Sequence, residues 1–468
     1  MSKKPASQGA LMAVLFFGIL MGALDIAIVA PALHPIQNEF GVTPRLTAWI
    51  FAIYMLFSLI GTPLMAKLAD IYGRRLIYVV DIVLFAVGSL AVVAGGLTGQ
   101  FWIFLAGRAI QGLGAGGIFP VASAVIGDTV APEKRGSALG MLGAVWGLAF
   151  ILGPILGGLL IPFGWTTLFL INLPIALVLI IASLRILPAH EKGDTPPLDI
   201  PALLLLAATL GSFAIGVNQI DTSRFFESLA TLAVWPFLAV SLVLLVGMVL
   251  SERRKITNPL FPHALFENPQ LRLVYAIGAV YGVAQATISF LPALAMAAFS
   301  SQGMTSSQSS YMMLPMVVAM SIGSPLVGRI LDKTGSKPVI LAGVLCATAG
   351  FLILGLHSSL MAGYLVGEIL LGFGVAALAG APLRYIVLAE SPAKDRTVAQ
   401  GLSSLFVSVG GVVGAALIGG MAASGTSALQ GWSFAFLMVA LPTSIAVLLA
   451  LFLKGRHAER ESAQRNHQ

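Results

Sequence analysis

Apolar runs of about twenty residues recur from one end of this 468-residue chain to the other, and nothing else in it constrains the fold so strongly. A helix gains about 1.5 Å per residue, so about 20 residues cross a hydrocarbon layer roughly 30 Å thick. Breaks at charged, glycine- or proline-containing turns predict fourteen spans, near 9–33, 47–66, 76–95, 102–126, 138–162, 167–187, 200–219, 232–250, 272–299, 310–331, 338–356, 359–388, 399–423 and 433–454. In lipid every backbone polar group must be satisfied within its own segment or a closed barrel, and runs this long are helices. The fold class expected is all-α, a polytopic membrane protein with about 14 transmembrane helices. Only 10% of the residues are charged, against roughly 25% in soluble domains, which leaves no room for a large soluble domain.

The formal charge of +7 could suggest a nucleic-acid partner, but the basic residues sit in short loops and not in one patch. They alternate as the positive-inside rule requires. One side holds Lys3, Lys4, Lys67, Arg74, Arg75, Lys134, Arg135, Lys192, Arg253, Arg254, Lys255, Lys333, Lys337, Lys394, Arg396, Lys454, Arg456, Arg460 and Arg465; the other holds Arg45 and Arg224. Both termini are therefore expected in the cytoplasm. The first apolar run continues to about Ala32 without a small-residue cleavage site and reads as a retained span. Trp49, Trp102, Trp165, Trp235 and Trp432 fall at outer span ends, as an interfacial aromatic belt would. The single cysteine, Cys346, permits no internal disulfide, and the six histidines fall in loops, tails or span ends, so no metal site is expected.

The chain repeats itself. LADIYGRR (68–75) returns as LDKTGSK (331–337), matching Asp70 with Asp332 and Gly73 with Gly335 at an offset of 262 residues. RAIQGLGAGG (108–117) matches EILLGFGVAA (368–377) at an offset of 260, which also pairs Pro132 with Pro392 and Lys134 with Lys394. The expected organisation is two pseudo-symmetric six-helix bundles, 1–190 and 266–468, the second with a cytoplasmic tail, separated by an inserted helix pair with linkers at 191–265. Internal repeats on this scale mark transporters that hold substrate between the halves.

These residues carry a family resemblance. LMAKLADIYGRRLIY, with Asp70, Gly73, Arg74 and Arg75, is similar to the loop signature of the major facilitator superfamily, with Ala66 where glycine is usual. GRAIQGLGAGG resembles its fourth-span signature through Arg108, Gln111, Gly112 and Gly114. LGPILGG, with Gly153, Pro154, Gly157 and Gly158, resembles the fifth-span antiporter signature, Ala149 replacing one glycine. ALDIAIVAPAL, with Asp25 and Pro31, and WTTLFLINLP, with Trp165, Asn172 and Pro174, are similar to first- and sixth-span signatures of the fourteen-span drug:proton antiporters, with Thr166 where arginine is common. The resemblance covers essentially the whole chain and implies proton-coupled efflux by alternating access, with protons as the coupling ion and no cofactor.

Charges inside spans are the candidate machinery, since an arginine at the bilayer centre costs roughly 2.5–3.5 kcal/mol and must face a partner or a cavity. Counted along the helices, Arg108 lies about 9 Å below Trp102, Asp25 about 12 Å below Leu33 and Glu368 about 14 Å below the outer end of its span. Asp25, Arg108 and Glu368 are the expected proton-coupling residues. Gln111, Tyr54, Trp146, Gln285 and Phe406 are mid-span candidates for the substrate cavity. Asp70, Gly73, Arg74 and Arg75, with Asp332, Gly335 and Lys337 in the second half, form an expected conformational latch of charge pairs and helix termini. Gly153, Pro154, Gly157 and Gly158 are expected to make a close, dry helix seam. Asp81, about 9 Å from Arg75 along its span, is expected to snorkel or to pair with the latch loop.

No Walker-type G-x-x-x-x-G-K-[ST] sequence and no H-E-x-x-H sequence occurs, so neither ATP-driven transport nor membrane-embedded catalysis is expected. The expected partners are a small molecule and the lipid bilayer of the plasma (inner) membrane, with the protein acting as a monomer. Two alternatives stay open: an exporter of one endogenous metabolite, siderophore or lipid, and a non-transporting sensor or scaffold that kept the fold.

Overall fold

A computed structural model describes residues 7–42, 44–189, 199–220, 224–254, 259–304, 306–423 and 425–465. Among these residues there is no strand, and 14 helices are long and apolar enough to cross a membrane. The first half contributes α1 (Gln8–Phe40), α2 (Pro44–Tyr72), α3 (Arg74–Thr98), α4 (Phe101–Thr129), α5 (Pro132–Leu160) and α6 (Asn172–Ile186), the last preceded by one turn at Thr167–Leu170. The inserted pair is α7 (Ile200–Asn218) and α8 (Trp235–Arg254). The second half contributes α9 (Pro269–Ile288), α10 (Leu291–Ala298), α11 (Leu314–Thr334), α12 (Ser336–His357), α13 (Met361–Ala379), α14 (Ala381–Glu390), α15 (Arg396–Ala423) and α16 (Ala428–Leu451). Lys3, Lys4, Lys192 and Lys255 of the topological charge pattern lie outside the described residues.

Two spans read as continuous from the sequence are broken. The run 272–299 divides at Ser289 into α9 and α10, and the run 359–388 divides at Gly380 into α13 and α14. Each second segment carries a proline, Pro292 or Pro382, in its first turn, where the missing N–H has no helical partner to lose. The tail also folds: α17 (Arg456–Arg465) lies against α14, with Ser462 and Ala463 buried.

The chain forms two compact units. One contains residues 1–129, 145–203 and 394–401; the other contains 130–144, 204–393 and 402–468. Each unit thus includes a short segment from the opposite sequence half, 394–401 in the first and 130–144 in the second.

Small residues set the helix packing inside each unit. A methyl on Gly88 would lie 2.7 Å from the carbonyl of Gly107, and one on Gly350 would lie 2.8 Å from that of Gly367, so α3 meets α4 as α12 meets α13. Gly112 likewise abuts the Tyr54 carbonyl on α2, as Gly372 abuts that of Met316 on α11. These contacts keep the 262 and 260 offsets throughout, so the repeat seen in the sequence is a repeat of packing. Such approach is possible only where no side chain intervenes, which is why small residues concentrate at membrane helix interfaces. The inserted pair is different: 17% of the apolar window of α8 is buried, against 78% for α4, so α8 turns most of its surface outward. It is tied to α7 where the Ser241 hydroxyl donates to the Thr209 carbonyl at 2.9 Å.

Candidate functional site

Asp25, Arg108 and Gln111 are each fully buried in the first unit and meet there. One Arg108 amino group donates to Asp25 and, at 2.8 Å, to Oε1 of Gln111, while its Nε donates to the Ile50 carbonyl at 3.3 Å. The second Asp25 oxygen accepts from the amides of Gln111 at 3.2 Å and Asn172 at 3.3 Å. Both amides also donate to the Ser89 hydroxyl, at 2.8 and 3.2 Å. The guanidinium lies 4.3 Å over the Tyr54 ring, a cation–π contact in a dry setting. Its other amino nitrogen has no hydrogen-bond partner among the described residues.

The local sequence explains the assembly. Arg108 and Gln111 are three residues apart on α4 and therefore share a face. The contact of Gly88 with Gly107 brings α3 close enough for Ser89 to reach Gln111. The Arg108 guanidinium also lies 5.8 Å from the Phe169 ring, which belongs to an aromatic cluster with Phe40, Phe101, Phe104 and Trp165 whose contacts run from 5.4 to 6.0 Å. Trp165, expected in an interfacial belt, is 3% exposed and donates its indole N–H to Glu39, whereas Trp102 is 72% exposed. A neighbouring acceptor and a wall of phenylalanines hold Trp165 inside.

The other candidates divide. Tyr54 and Gln111 belong to the cluster, whereas Trp146 is half-buried on α5. In the second unit Gln285 is exposed on α9, and Phe406 stacks on Tyr275 with ring centroids 5.1 Å apart. Glu368 is fully buried on α13 with neither oxygen hydrogen-bonded among the described residues. Tyr364, one turn away, has its hydroxyl on the Leu291 carbonyl at 3.0 Å. In the glycine seam, Gly153 and Gly157 are buried one turn apart, with Ala27 of α1 directly over Gly153, whereas Gly158 faces open space. The Pro154 side chain lies outside the described residues.

The loop residues make reciprocal helix caps. In the first unit Asp70 accepts from the backbone N–H groups of Thr397 and Val398, at 3.2 and 2.8 Å, at the start of α15. Arg74 pairs with Asp70 at 3.6 Å and with Asp128, and Asp128 also pairs with Arg396 at 2.9 Å. In the second unit Asp332 accepts from Gly136 and Ser137, at 2.8 and 2.9 Å, in the second turn of α5. A carboxylate at a helix N-terminus satisfies free donors and meets the positive end of the dipole. Gly73 and Gly335, with φ of +94° and +83°, precede α3 and α12 in a backbone region that disfavours a side chain. Arg75 reaches the Leu184 carbonyl at 3.5 Å, and Lys337 that of Leu451 at 2.5 Å.

Asp81 neither snorkels nor joins the latch: it is 0% exposed, and neither carboxyl oxygen has a hydrogen-bond partner among the described residues. It points across the bundle toward Gly117, a direction that depth along the helix could not give. Ser89, Asn172, Asp128 and Thr397 were missed as partners. Asn172 stands in the sixth-span signature, and the mid-span polarity of Ser89 hinted at a role.

A fourteen-span helical fold with an internal packing repeat and a buried, fully apposed acid–base pair defines a membrane transporter of the two-halved type. Models of the Major Facilitator Superfamily match residues 15–291 and 274–468, and the chain belongs to that superfamily. It is 31% identical over 425 residues to the uncharacterized MFS-type transporter YfiU of Bacillus subtilis (strain 168), covering 90% of this chain and 80% of that one. It is 30% identical over 429 residues to the multidrug transporter protein MdtP of the same organism, covering 89% and 75%. The fold matches the proton:xylose symporter XylE with a TM-score of 0.67 at 14% identity, over 96% of both chains.

Proposed function

We propose that the protein is a proton-coupled antiporter that exports small amphipathic or cationic molecules by alternating access. The observation that carries this reading is the buried Asp25–Arg108 pair with its amide and hydroxyl neighbours. Asp25 as an anion has Arg108, Gln111 and Asn172 around it. Adding a proton removes the charge that holds Arg108, and the guanidinium then seeks another acceptor, so protonation and the packing of α1 against α4 are linked. Glu368 supplies a second buried carboxyl for a proton or a cationic substrate. The Asp70 and Asp332 caps act as the latch that breaks and re-forms as the protein alternates. One elementary charge moved across the membrane is worth about 2.3 kcal/mol per 100 mV, enough to give the cycle a direction. The similarity to a multidrug transporter supports broad substrate choice, and the basic loops support plasma-membrane insertion with cytoplasmic termini.

The test uses everted membrane vesicles with an imposed pH gradient and fluorescent amphipathic cations. Wild-type protein should accumulate dye until a protonophore is added, and Asp25→Asn should abolish gradient-driven accumulation at equal expression. Accumulation unchanged by Asp25→Asn removes Asp25 from the coupling step.

A further inference from the structure

Asp81 lies on α3 seven residues after Arg74 and eight before Ser89, hence about 10 Å along the helix from the latch and about 12 Å from the Asp25 cluster. Its carboxyl group occupies the seam of α2, α3 and α4, facing Gly117 and Met65. A methyl on Gly117 would collide with both carboxyl oxygens, so α4 has no side chain where Asp81 needs space. Of the ionisable groups around it, Tyr78 is on the same helix and has its hydroxyl on the carbonyls of Val14 and Leu15, at 3.2 and 3.4 Å. On α2, Asp70 caps α15, and Lys67 interacts electrostatically with Asp395. On α4, Arg108 holds Asp25, and Asp128 holds Arg74 and Arg396. On α6, Arg185 is exposed. No cation is paired with Asp81 among the described residues, and no donor reaches it.

The repeat supplies an internal control. The counterpart of Asp81 is Gly343 on α12, and that of Gly117 is Ala377 on α13. They touch: a methyl on Gly343 would fall on that of Ala377. At this level the scaffold therefore packs with glycine against alanine, and a carboxyl is not required to join the two helices. The first half carries one all the same, with the opposing methyl absent.

We propose that Asp81 is a second proton-carrying residue of the first half, holding a proton in this conformation and exchanging it when the seam of α2, α3 and α4 re-packs. In the loaded form the neutral acid sits against Gly117. When the seam opens to water, the O–H proton passes to water as hydronium and leaves the carboxylate; a proton taken from water restores the acid. This inference rests on the proton-coupled reading above, with Asp81 between Arg74 and Ser89 along α3.

Two measurements on the full chain in lipid test it. In infrared spectra at neutral pH, wild-type protein should show the C=O stretch of a protonated carboxyl, shifted by D2O, with a component missing in Asp81→Asn. Should that variant fail to fold, the pair Asp81→Gly with Gly117→Ala installs the combination the second half already uses, and the same component should be missing. In vesicles, the protons moved per molecule of tetraphenylphosphonium should fall in Asp81→Asn by about one. An infrared spectrum identical in wild type and variant overturns the proposal, as does an unchanged proton count. If Asp25→Asn loses coupling while Asp81→Asn matches wild type, this inference alone fails. If wild-type vesicles move no protons with any cationic dye, the antiporter reading fails, and the infrared component still decides whether Asp81 holds a proton.

Discussion

In the first half α4 presents Arg108 and Gln111 to Ser89 of α3 and Tyr54 of α2; in the second half the matching positions are Glu368 and Leu371 on α13, Phe351 on α12 and Met316 on α11. The backbones beneath these residues pack alike, glycine on carbonyl at the same repeat positions. A polar network with nearly every group satisfied in the first half thus corresponds, in the second, to an apolar site holding one carboxyl with no hydrogen bond among the described residues, on a shared scaffold. Helix packing depends on small residues and tolerates either content, so chemistry could diverge between the halves while architecture did not. The halves differ in the charged and polar residues they bury and agree where helices touch.

The comparison can be broken most sharply at Arg108. Arg108→Ala leaves Asp25 buried without its cation, and removing one partner of a buried pair costs about 3–5 kcal/mol. Thermal unfolding in detergent should show that loss, whereas Asp25→Asn combined with Arg108→Gln should recover most of the stability without recovering transport. A variant of Arg108 alone with wild-type stability would mean that the pair is not what holds α1 to α4.

A smaller effect tests the shared scaffold. Gly112→Val and Gly372→Val each push a side chain into a backbone carbonyl at equivalent places, and overpacking of this kind costs about 1–3 kcal/mol. Similar losses of melting temperature in both variants would sharpen the claim of common packing. A loss confined to one half would break it.

The smallest expected effect lies at the tail, a feature of the second half alone. Glu459 of α17 is 3% exposed and accepts from the Ser336 N–H at 3.0 Å, and Arg460 donates to the Asp332 carbonyl at 3.4 Å. Burial pushes the Glu459 carboxyl above its ordinary value, opposed in part by the bond from Ser336. The docked helix therefore favours the protonated acid, and its docking should weaken as pH rises through the carboxylate range. Hydrogen exchange of the α17 amides, corrected for the intrinsic pH dependence, should show protection falling with pH. Glu459→Gln should flatten that dependence.

Much of this was legible in the residues because charges inside lipid are expensive and so are placed for a reason. Asp25 and Arg108 were readable as intramembrane charges at similar depth, and the repeat was readable from Asp70, Asp332 and the glycines of α4 and α13. Ser89 was not, since a single neutral polar residue in a span is cheap and commonly bonds to its own helix, and Asn172 was readable as a signature residue but not as a partner of Asp25. Thr397 and Gly136 could not be found as the partners of Asp70 and Asp332, because backbone donors at a helix start have no sequence identity. Asp81 was misjudged because distance along a helix gives depth and not facing, and Trp165 because a tryptophan at a span end can turn inward when an acid and other rings await it.

The caps at Asp70 and Asp332 have a consequence for the chain as a whole. Each compact unit borrows a short piece from the opposite sequence half, 394–401 or 130–144, and the carboxylate that receives it is native to that unit. A gene cut between α7 and α8 would therefore yield two polypeptides that each lack the segment the other carries. Such fragments should mature only when made together, and the protein is assembled by exchange as much as by folding.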